Sequence, residues 1–261
     1  MQPPPHKPSA QINSLGLTFA YINVRTLKDT SAYKRQASKI GRLYECSVVA
    51  DNLQADFMAV VETRIQGPDN MWNGKTGYSY FFSGSTYKGC KIGGVGIGIK
   101  DKWMKSFAIE YIHPVNERLM AIWGTIAGHK ISIIVAYAPT ACSASSAIDT
   151  AKFYAELHML ITTVIPSIYR DKCIILGDFN ARTGGLQDID DNYNVLGPYI
   201  TDDPEQLPYN ANGESLVKFC KDHSFRIGNS LYESTAAEGS ATWGTTKIHS
   251  TTPQHMRILD A

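Results

Sequence analysis

The sequence has little of several features that would assign it to a specialised class of protein. Its 25 basic and 24 acidic side chains nearly cancel, so no global field attracts a polyanion, and binding to nucleic acid would need a local patch. The longest apolar run, Ile131 to Ala138, is far too short to span a bilayer. We therefore expect a protein that makes no membrane contact.

Cysteine is also sparse, and the N-terminus has no secretory signal. The five cysteines are widely spaced and include no CxxC pair, which favours reduced core thiols over a zinc site or a redox motif. The first 14 residues, MQPPPHKPSAQINS, are rich in proline and polar side chains and lack the apolar segment of a signal peptide. We expect residues 1–14 to form a disordered tail, and the protein to be intracellular, nuclear or cytoplasmic, and not secreted.

The chain does contain regular strand and helix patterns, and its hydrophobic content of 43% is that of a globular protein. Helices are predicted over 33–53, 147–165 and 214–223. Strands are predicted at 15–23, 56–62, 78–82, 93–100, 107–112, 118–126, 130–139, 172–176 and 225–229, with short pieces at 241–243 and from Met256 onward. A strand, helix and strand at the start imply a parallel pair, whereas the later short connections favour antiparallel neighbours. This order predicts a mixed α/β domain with two packed sheets and helices outside.

Polar residues stand at the ends of four predicted strands, where a purely structural strand would not need them. They are Asn23 and Arg25 in YINVRTL, Glu62 and Arg64 in VVETRI, Tyr137 in VAYAPT, and Asp178 and Asn180 in GDFNAR. The spacing of Asp178 and Asn180 places both side chains on one face of an extended backbone, because successive strand residues alternate sides. They could then touch the same ligand.

The two carboxylates among these residues suggest a cation. Glu62 follows an apolar strand, so a meeting of Glu62 and Asp178 would bring two like charges together in a half-buried cleft. A divalent cation would relieve that repulsion. Carboxylate, amide and water oxygens suit Mg²⁺, and zinc is disfavoured because no cluster of histidine or cysteine accompanies these residues.

These motifs also carry a family resemblance. In this order, YINVRTL, VVETRI, GGVGIGIK, VAYAPT and LGDFNARTG resemble the endonuclease/exonuclease/phosphatase superfamily, whose fold is that of deoxyribonuclease I. More narrowly, NVRTL, ETRI, NERLM, YAPT, GDFNARTG and NGESLVKFC resemble the apurinic-type endonuclease domain of non-LTR retrotransposons and of host proteins derived from them. The resemblance implies an α/β fold over residues 15–261, a four-layered α/β sandwich of two mixed β-sheets flanked by helices.

The function that this resemblance implies is that of a Mg²⁺-dependent phosphodiesterase that nicks DNA, as in retrotransposon target-site cleavage, with Mn²⁺ as a substitute metal. Glu62 would hold the metal with Asn23 beside it, and Asp178 would orient or deprotonate the attacking water. Asn180 would bind the scissile phosphate, and Tyr137 would contact that phosphate or the leaving group. Further substrate contacts are expected from Arg25, Arg64 and Asn212. We expect DNA as the partner and a monomeric protein.

The C-terminal end departs from the family pattern. Asp260 corresponds to a carboxylate that orients the family's catalytic histidine, but the Ser-Asp-His motif that should follow is absent because the sequence stops at Ala261. We therefore expect the domain to lack its last strands. Arg25 also replaces an acid that many superfamily members carry, although retrotransposon members often have arginine there.

Several alternatives stay open. The chain could be a catalytically inactive, retroelement-derived DNA-binding fragment, or a phosphatase of the same fold that acts on a phosphoinositide or sphingolipid headgroup. Asp178 and Asn180 could be turn formers, and Asn212 could cap the helix that follows it. The glycines of GGVGIGIK resemble a phosphate loop, but close sheet packing is the preferred interpretation because no helix or Lys-Ser/Thr follows them.

Overall fold

The structure is a computed structural model that describes residues 16–27, 40–73, 77–87, 93–140, 146–184, 186, 192–197, 208–231 and 254–257. The α-helices within these residues are α1 (Ile40–Asn52), α2 (Asp101–Met104), α3 (Ser146–Met159) and α4 (Ala211–Asp222). The strands are β1 (Thr18–Asn23), β2 (Phe57–Val61), β3 (Asp69–Asn73), β4 (Tyr78–Ser83), β5 (Val95–Lys100), β6 (Phe107–Pro114), β7 (Leu119–Ile126), β8 (His129–Tyr137), β9 (Cys173–Asp178) and β10 (Gln254–Arg257). The predicted tail, the piece at 241–243 and Asp260 lie outside the described residues.

The strands form two mixed sheets. The first has six strands in the order β10-β1-β2-β5-β4-β3, and the second has four in the order β6-β7-β8-β9. Each sheet contains one parallel pair, β1 with β2 and β8 with β9, whereas the other neighbours are antiparallel. Asn23 pairs with Val61 and Tyr137 pairs with Asp178, so each parallel pair ends level at its carboxyl edge.

The two sheets pack face to face, with helices on both outer faces. The core between them joins Phe57 and Ile97 of the first sheet to Ile122 and Ile133 of the second. Helix α1 covers the other face of the first sheet. Helices α3 and α4 cover the second, where side chains such as Phe153, Leu157 and Phe219 pack. The expected four-layered α/β sandwich of two mixed sheets flanked by helices is therefore confirmed.

Two expectations drawn from composition can be compared with this fold. None of the helices in the described ranges is long and apolar enough to cross a membrane. Cys46 and Cys220 are buried free thiols and Cys173 is a half-buried one, as predicted for reduced core cysteines. Cys90 and Cys142 lie outside the described residues.

Two secondary-structure predictions differ from the structure. The predicted strand 225–229 is irregular and ends in the 3₁₀ turn Gly228–Ser230. Its alternation of apolar residues arises because Phe225 and Ile227 pack against α4 and the segment near Val195, rather than from a sheet. The edge strand β3 was not predicted, because its sequence DNMWN has no strand-like alternation and takes its extended form from pairing with β4. A π-helical turn, Leu160–Val164, completes the predicted helix after α3.

The glycines before and within β5 allow close packing. Gly94 has a φ of 91°, and a Cβ atom there would lie 2.3 Å from Oγ1 of Thr63. At Gly98 a Cβ atom would lie 2.5 Å from the ring of Tyr80. Thr63 and Tyr80 therefore leave room only for glycine at these two positions, which agrees with the packing interpretation of GGVGIGIK.

A buried carboxylate anchors the end of the first sheet that lies opposite the carboxyl edge of β1 and β2. Asp56 precedes β2, and its side chain is only 4% exposed. It accepts hydrogen bonds from the backbone N–H of Thr18 at 2.9 Å and from the indole N–H of Trp103 at 2.6 Å, and Nζ of Lys102 lies 2.6 Å away. Because all of these donors depend on one side chain, Asp56 ties β1, β2 and α2 together.

We expect Asp56→Ala to lower the free energy of unfolding by about 2–4 kcal/mol, because it leaves the half-buried N–H groups of Thr18 and Trp103 without their charged acceptor. Asp51→Ala is the matched control, since it removes only an exposed pair with Lys100 and should cost less than about 1 kcal/mol. Urea unfolding followed by circular dichroism measures both. Equal losses for the two variants would contradict the anchoring role of Asp56.

Candidate active site

Four strand ends meet at one edge of the sandwich. β1 and β2 bring Asn23 and Glu62 to this edge from the first sheet, and β8 and β9 bring Tyr137 and Asp178 from the second. Carboxyl ends of parallel strands lie side by side, and the packing of the sheets then aligns the two pairs across the core. The structure thus brings together residues that the sequence scatters over more than 150 positions.

Hydrogen bonds connect these four side chains. The amide Nδ2 of Asn23 donates to Oε1 of Glu62 at 2.6 Å and lies 3.3 Å from Oδ2 of Asp178. The hydroxyl of Tyr137 donates to the same Oε1 of Glu62 at 3.0 Å. Glu62 therefore receives one donor from each sheet, and the amide of Asn23 holds both carboxylates.

The charge of this cluster fits a hard cation. Glu62 and Asp178 both lie within reach of one neutral amide, and in the described part of the chain neither forms an ion pair with Lys, Arg or His. The described residues also contain no group of three or more His, Cys, Asp and Glu side chains placed to hold a metal. Two carboxylates completed by water and substrate oxygens are a donor set that Mg²⁺ accepts and zinc does not favour.

Asn23 faces this cluster through its nitrogen. Its amide oxygen accepts the backbone N–H of Arg25 at 3.0 Å, which closes a local turn after β1. In this arrangement Asn23 fixes the positions of Glu62 and Asp178, and its oxygen would have to turn over to bind a metal. Its metal contact stays a prediction.

Tyr137 is held as a hydrogen-bond donor. Burial, together with the neighbouring charge of Glu62, raises the pKa of its hydroxyl well above the ordinary value, so the group stays protonated at neutral pH. The guanidinium of Arg118 lies 5.4 Å from the ring centroid and donates to the Tyr137 carbonyl at 3.3 Å. Arg118 is not among the predicted site residues, although it lies in the NERLM motif.

The segment from Asp178 to Asn180 is a turn, which corrects the expectation of an extended backbone. Asn180 has a φ of 48°, and its N–H donates to Oδ1 of Asp178 at 2.9 Å. The Asn180 side chain turns back to donate to the carbonyl of Ala138 at 2.8 Å. Asp178 is thus a turn former and a member of the carboxylate cluster, because its two oxygens serve different partners.

Left-handed backbone recurs around this edge. Arg25, Glu62, Arg64 and Asn180 have φ values of 54°, 59°, 55° and 48°. Non-glycine residues rarely adopt this conformation, and the surrounding structure must enforce it. After β2 the enforcement comes from the glycines before β5, since the N–H of Arg64 donates to the carbonyl of Gly93 at 2.9 Å.

The predicted arginines occupy the rim of this edge. Arg25 is exposed and Arg64 is half-buried. Arg182, just after the Asp178–Asn180 turn, is exposed as well but is not among the predicted site residues. The substrate contacts of Arg25 and Arg64 stay predictions, as does the role of Asp260, which lies outside the described residues.

Asn212 lies inside the protein beneath the site and is not the cap of α4, whereas its predicted substrate contact stays a prediction. It is only 1% exposed, and its amide nitrogen donates to the carbonyls of Pro139, Phe179 and Asn180 at 2.7, 3.3 and 3.3 Å. The cap of α4 is Asn210 instead, whose Oδ1 accepts the N–H of Gly213 at 2.8 Å. Asn212 is therefore not open to a substrate in this structure, because its polar atoms are bound inside the protein.

We expect Asn212→Ala to lower the free energy of unfolding by about 2–4 kcal/mol, because it leaves buried carbonyls and the hydroxyl of Thr150 without their partner. Asn70→Ala, at an exposed position of β3, should change stability by less than about 0.5 kcal/mol. Urea denaturation of both variants tests this. A loss at Asn212 no larger than at Asn70 would show that the interior network does not hold the turn.

Solved structures of similar architecture were found, whereas no family model and no curated protein matches the chain. The endonuclease domain of TRAS1, a telomere-specific non-LTR retrotransposon, is 10% identical, with 79% of this chain and 72% of that chain covered and a TM-score of 0.45. An AP endonuclease from Archaeoglobus fulgidus is 18% identical, with 79% and 70% covered and a TM-score of 0.46. An endonuclease/exonuclease/phosphatase family protein from Leptotrichia buccalis is 12% identical, with 71% and 75% covered and a TM-score of 0.43. The four-layered architecture described above rests on the chain's own sheets and helices.

Proposed function

We propose that this protein is a Mg²⁺-dependent phosphodiesterase of the DNA endonuclease type. The observation that carries the proposal is the convergence of Asn23 and Tyr137 on Glu62, with Asp178 beside the same Asn23 amide, at the carboxyl edge of the two parallel strand pairs. Hydrolysis of a phosphodiester needs neutralised phosphate charge and an aligned water molecule. A pair of carboxylates on a rigid double-sheet scaffold can serve both needs.

Glu62 would hold the metal, with Asp178 as the second carboxylate close to it. A bound Mg²⁺, or Mn²⁺ in its place, would neutralise charge on the phosphate oxygens. Glu62 suits this role because its position is set from both sheets, by Asn23 and by Tyr137. Preorganised donors of this kind lose little freedom when a charged ligand arrives.

Asp178 would orient the attacking water and accept its proton. Its Oδ1 is held by the N–H of Asn180 and its Oδ2 lies near the amide of Asn23, so the carboxylate plane is fixed relative to Glu62. In the reaction the water oxygen bonds to phosphorus while the bond from phosphorus to the leaving oxygen breaks. Asn180 would bind the scissile phosphate, and the protonated Tyr137 hydroxyl would contact that phosphate or the leaving group.

DNA is the substrate that the motifs and the rim favour. The retrotransposon-type motifs NVRTL and GDFNARTG argue for the nuclease branch rather than the phosphatase branch of the superfamily. Around the carboxylates, Arg25 and Arg182 are exposed and Arg64 is half-buried, so cationic side chains are available to a polyanionic backbone. A nearly neutral protein would need such a local patch to bind DNA.

We expect the purified protein to nick supercoiled plasmid in Mg²⁺ and to be inactive in EDTA. Asp178→Ala should lower the nicking rate by about 10²-fold or more, because a general base of this kind contributes 10²- to 10⁴-fold. Asp171→Ala, an exposed aspartate just before β9, is the matched control and should nick at the wild-type rate. Gel quantification of nicked and supercoiled plasmid measures all three proteins.

The other outcomes of this assay distinguish the alternatives. A folded protein that binds plasmid in a gel-shift assay but never nicks it would favour the inactive DNA-binding fragment and overturn the proposal. Release of inorganic phosphate from a soluble inositol phosphate, without nicking, would favour a phosphatase.

Metal binding can be tested without activity. We expect MgCl₂ to raise the Tm of the wild-type protein and to leave that of Glu62→Gln unchanged, because the neutral amide cannot replace the carboxylate. Glu45→Gln on the exposed side of α1 should keep the wild-type shift. Differential scanning fluorimetry across a MgCl₂ series provides the measurement. A shift of equal size in Glu62→Gln would exclude Glu62 as the metal ligand.

A further inference from the structure

Two histidines from different helices face each other on the outer helix layer. His158 lies in the last turn of α3 and is exposed, and His223 follows the end of α4. Nδ1 of His158 lies 3.0 Å from Nε2 of His223, and their ring centroids are 5.0 Å apart. The contact joins positions that are 65 residues apart in the sequence, so only the packing of α3 on α4 creates it.

The surroundings hold the His223 imidazole and the two helix ends in place. The ring of Phe219 lies 4.5 Å from that of His223, and the N–H of His223 donates to the Phe219 carbonyl at 3.1 Å. Tyr154 of α3 packs against Phe219 of α4 with ring centroids 5.6 Å apart. The two helix ends that carry the imidazoles are therefore fixed relative to each other, as a binding site requires.

From this geometry we propose that His158 and His223 form a binding site for a borderline divalent transition metal such as Zn²⁺, Ni²⁺ or Cu²⁺. Zinc bonds to histidine nitrogen at about 2.0–2.1 Å, which for tetrahedral angles separates two ligand nitrogens by about 3.3 Å. The observed gap of 3.0 Å needs to open by only a few tenths of an ångström. Water would complete the coordination.

Metal binding here needs a small rotation of the two rings, which turns their facing lone pairs toward a common point, and a shift of tautomers. In the pair as it stands, one of the two facing nitrogens donates its proton to the other. For both to bind a metal, each ring must carry its single proton on its other nitrogen, and no oxidant or co-reactant is involved. Asp222 forms an ion pair with Lys218, in which Oδ2 of Asp222 lies 2.9 Å from Nζ of Lys218. Its carboxylate also interacts electrostatically with both histidines and adds negative charge beside the site.

This site would differ chemically from the carboxylate cluster. Imidazole nitrogen favours zinc, nickel and copper, whereas Mg²⁺ takes oxygen ligands. A metal between His158 and His223 would join the end of α3 to the end of α4. Because α4 begins with the residues that hold the Asp178–Asn180 turn, among them Asn212, the bound metal would stabilise the layer that supports this edge.

The test is isothermal titration calorimetry of the tag-free protein with ZnCl₂ in excess MgCl₂, which occupies any hard-oxygen site. We expect one zinc site in the wild-type protein, weakened at least about tenfold in His158→Ala and in His223→Ala. His129→Ala is the control, because that ring contacts Lys172 rather than a histidine, and it should bind zinc like the wild type. Circular dichroism checks that each variant is folded.

A second readout follows from linkage. Zinc should raise the Tm of the wild-type and His129→Ala proteins and should not raise that of either variant of the pair. Zinc binding that survives either substitution, or a wild-type protein that does not bind zinc, would overturn the proposal. Neither measurement uses catalysis, so its outcome is independent of the nuclease assay.

Discussion

The candidate site depends on one carboxylate held from two sheets. Glu62 accepts the amide of Asn23 from its own sheet and the hydroxyl of Tyr137 from the other. This double hold is possible only if the two sheets keep a constant spacing and alignment. The apolar core between them, which includes Phe57 and Ile133, provides that constraint, because well-packed interiors do not deform continuously.

The same constraint explains how strained backbone is tolerated at the edge. Four residues there have left-handed φ angles, each of which costs about 1–3 kcal/mol for a non-glycine residue. Backbone hydrogen bonds offset part of this cost, as where Thr63 and Arg64 donate to the carbonyls of Gly94 and Gly93. Glycine is needed in the loop before β5, because a side chain at Gly94 would collide with Thr63. The strained backbone after β2 therefore depends on the glycines before β5, which accept its hydrogen bonds and leave room for it.

Support for the edge also comes from the outer helix layer. α4 contributes Asn210 and Asn212, whose amides bind the carbonyl of Asn180 and of its neighbours. α3 packs against α4 and carries Thr150, which donates to the oxygen of Asn212. The position of the Asp178–Asn180 turn thus depends on both helices, although neither reaches the carboxylates. The imidazole pair at the far ends of these helices lies on the same support.

The sequence by itself determined most of the strands, the polar residues at their ends and the two-sheet class, because alternation, apolar runs and abrupt changes of polarity are local features. It could not reveal that Asn212 is buried, since the same NANGES letters suit a cap, a surface contact or an interior amide. Nor could it show that 225–229 is irregular, because a strand in a sheet and a loop packed against a helix can have the same alternation of apolar residues. The contact of the Asn180 side chain with Ala138, the donors to Glu62 from both sheets and the pairing of His158 with His223 were decided by the tertiary structure alone. Each depends on contacts between segments distant in the chain, and packing, rather than local preference, fixes such contacts.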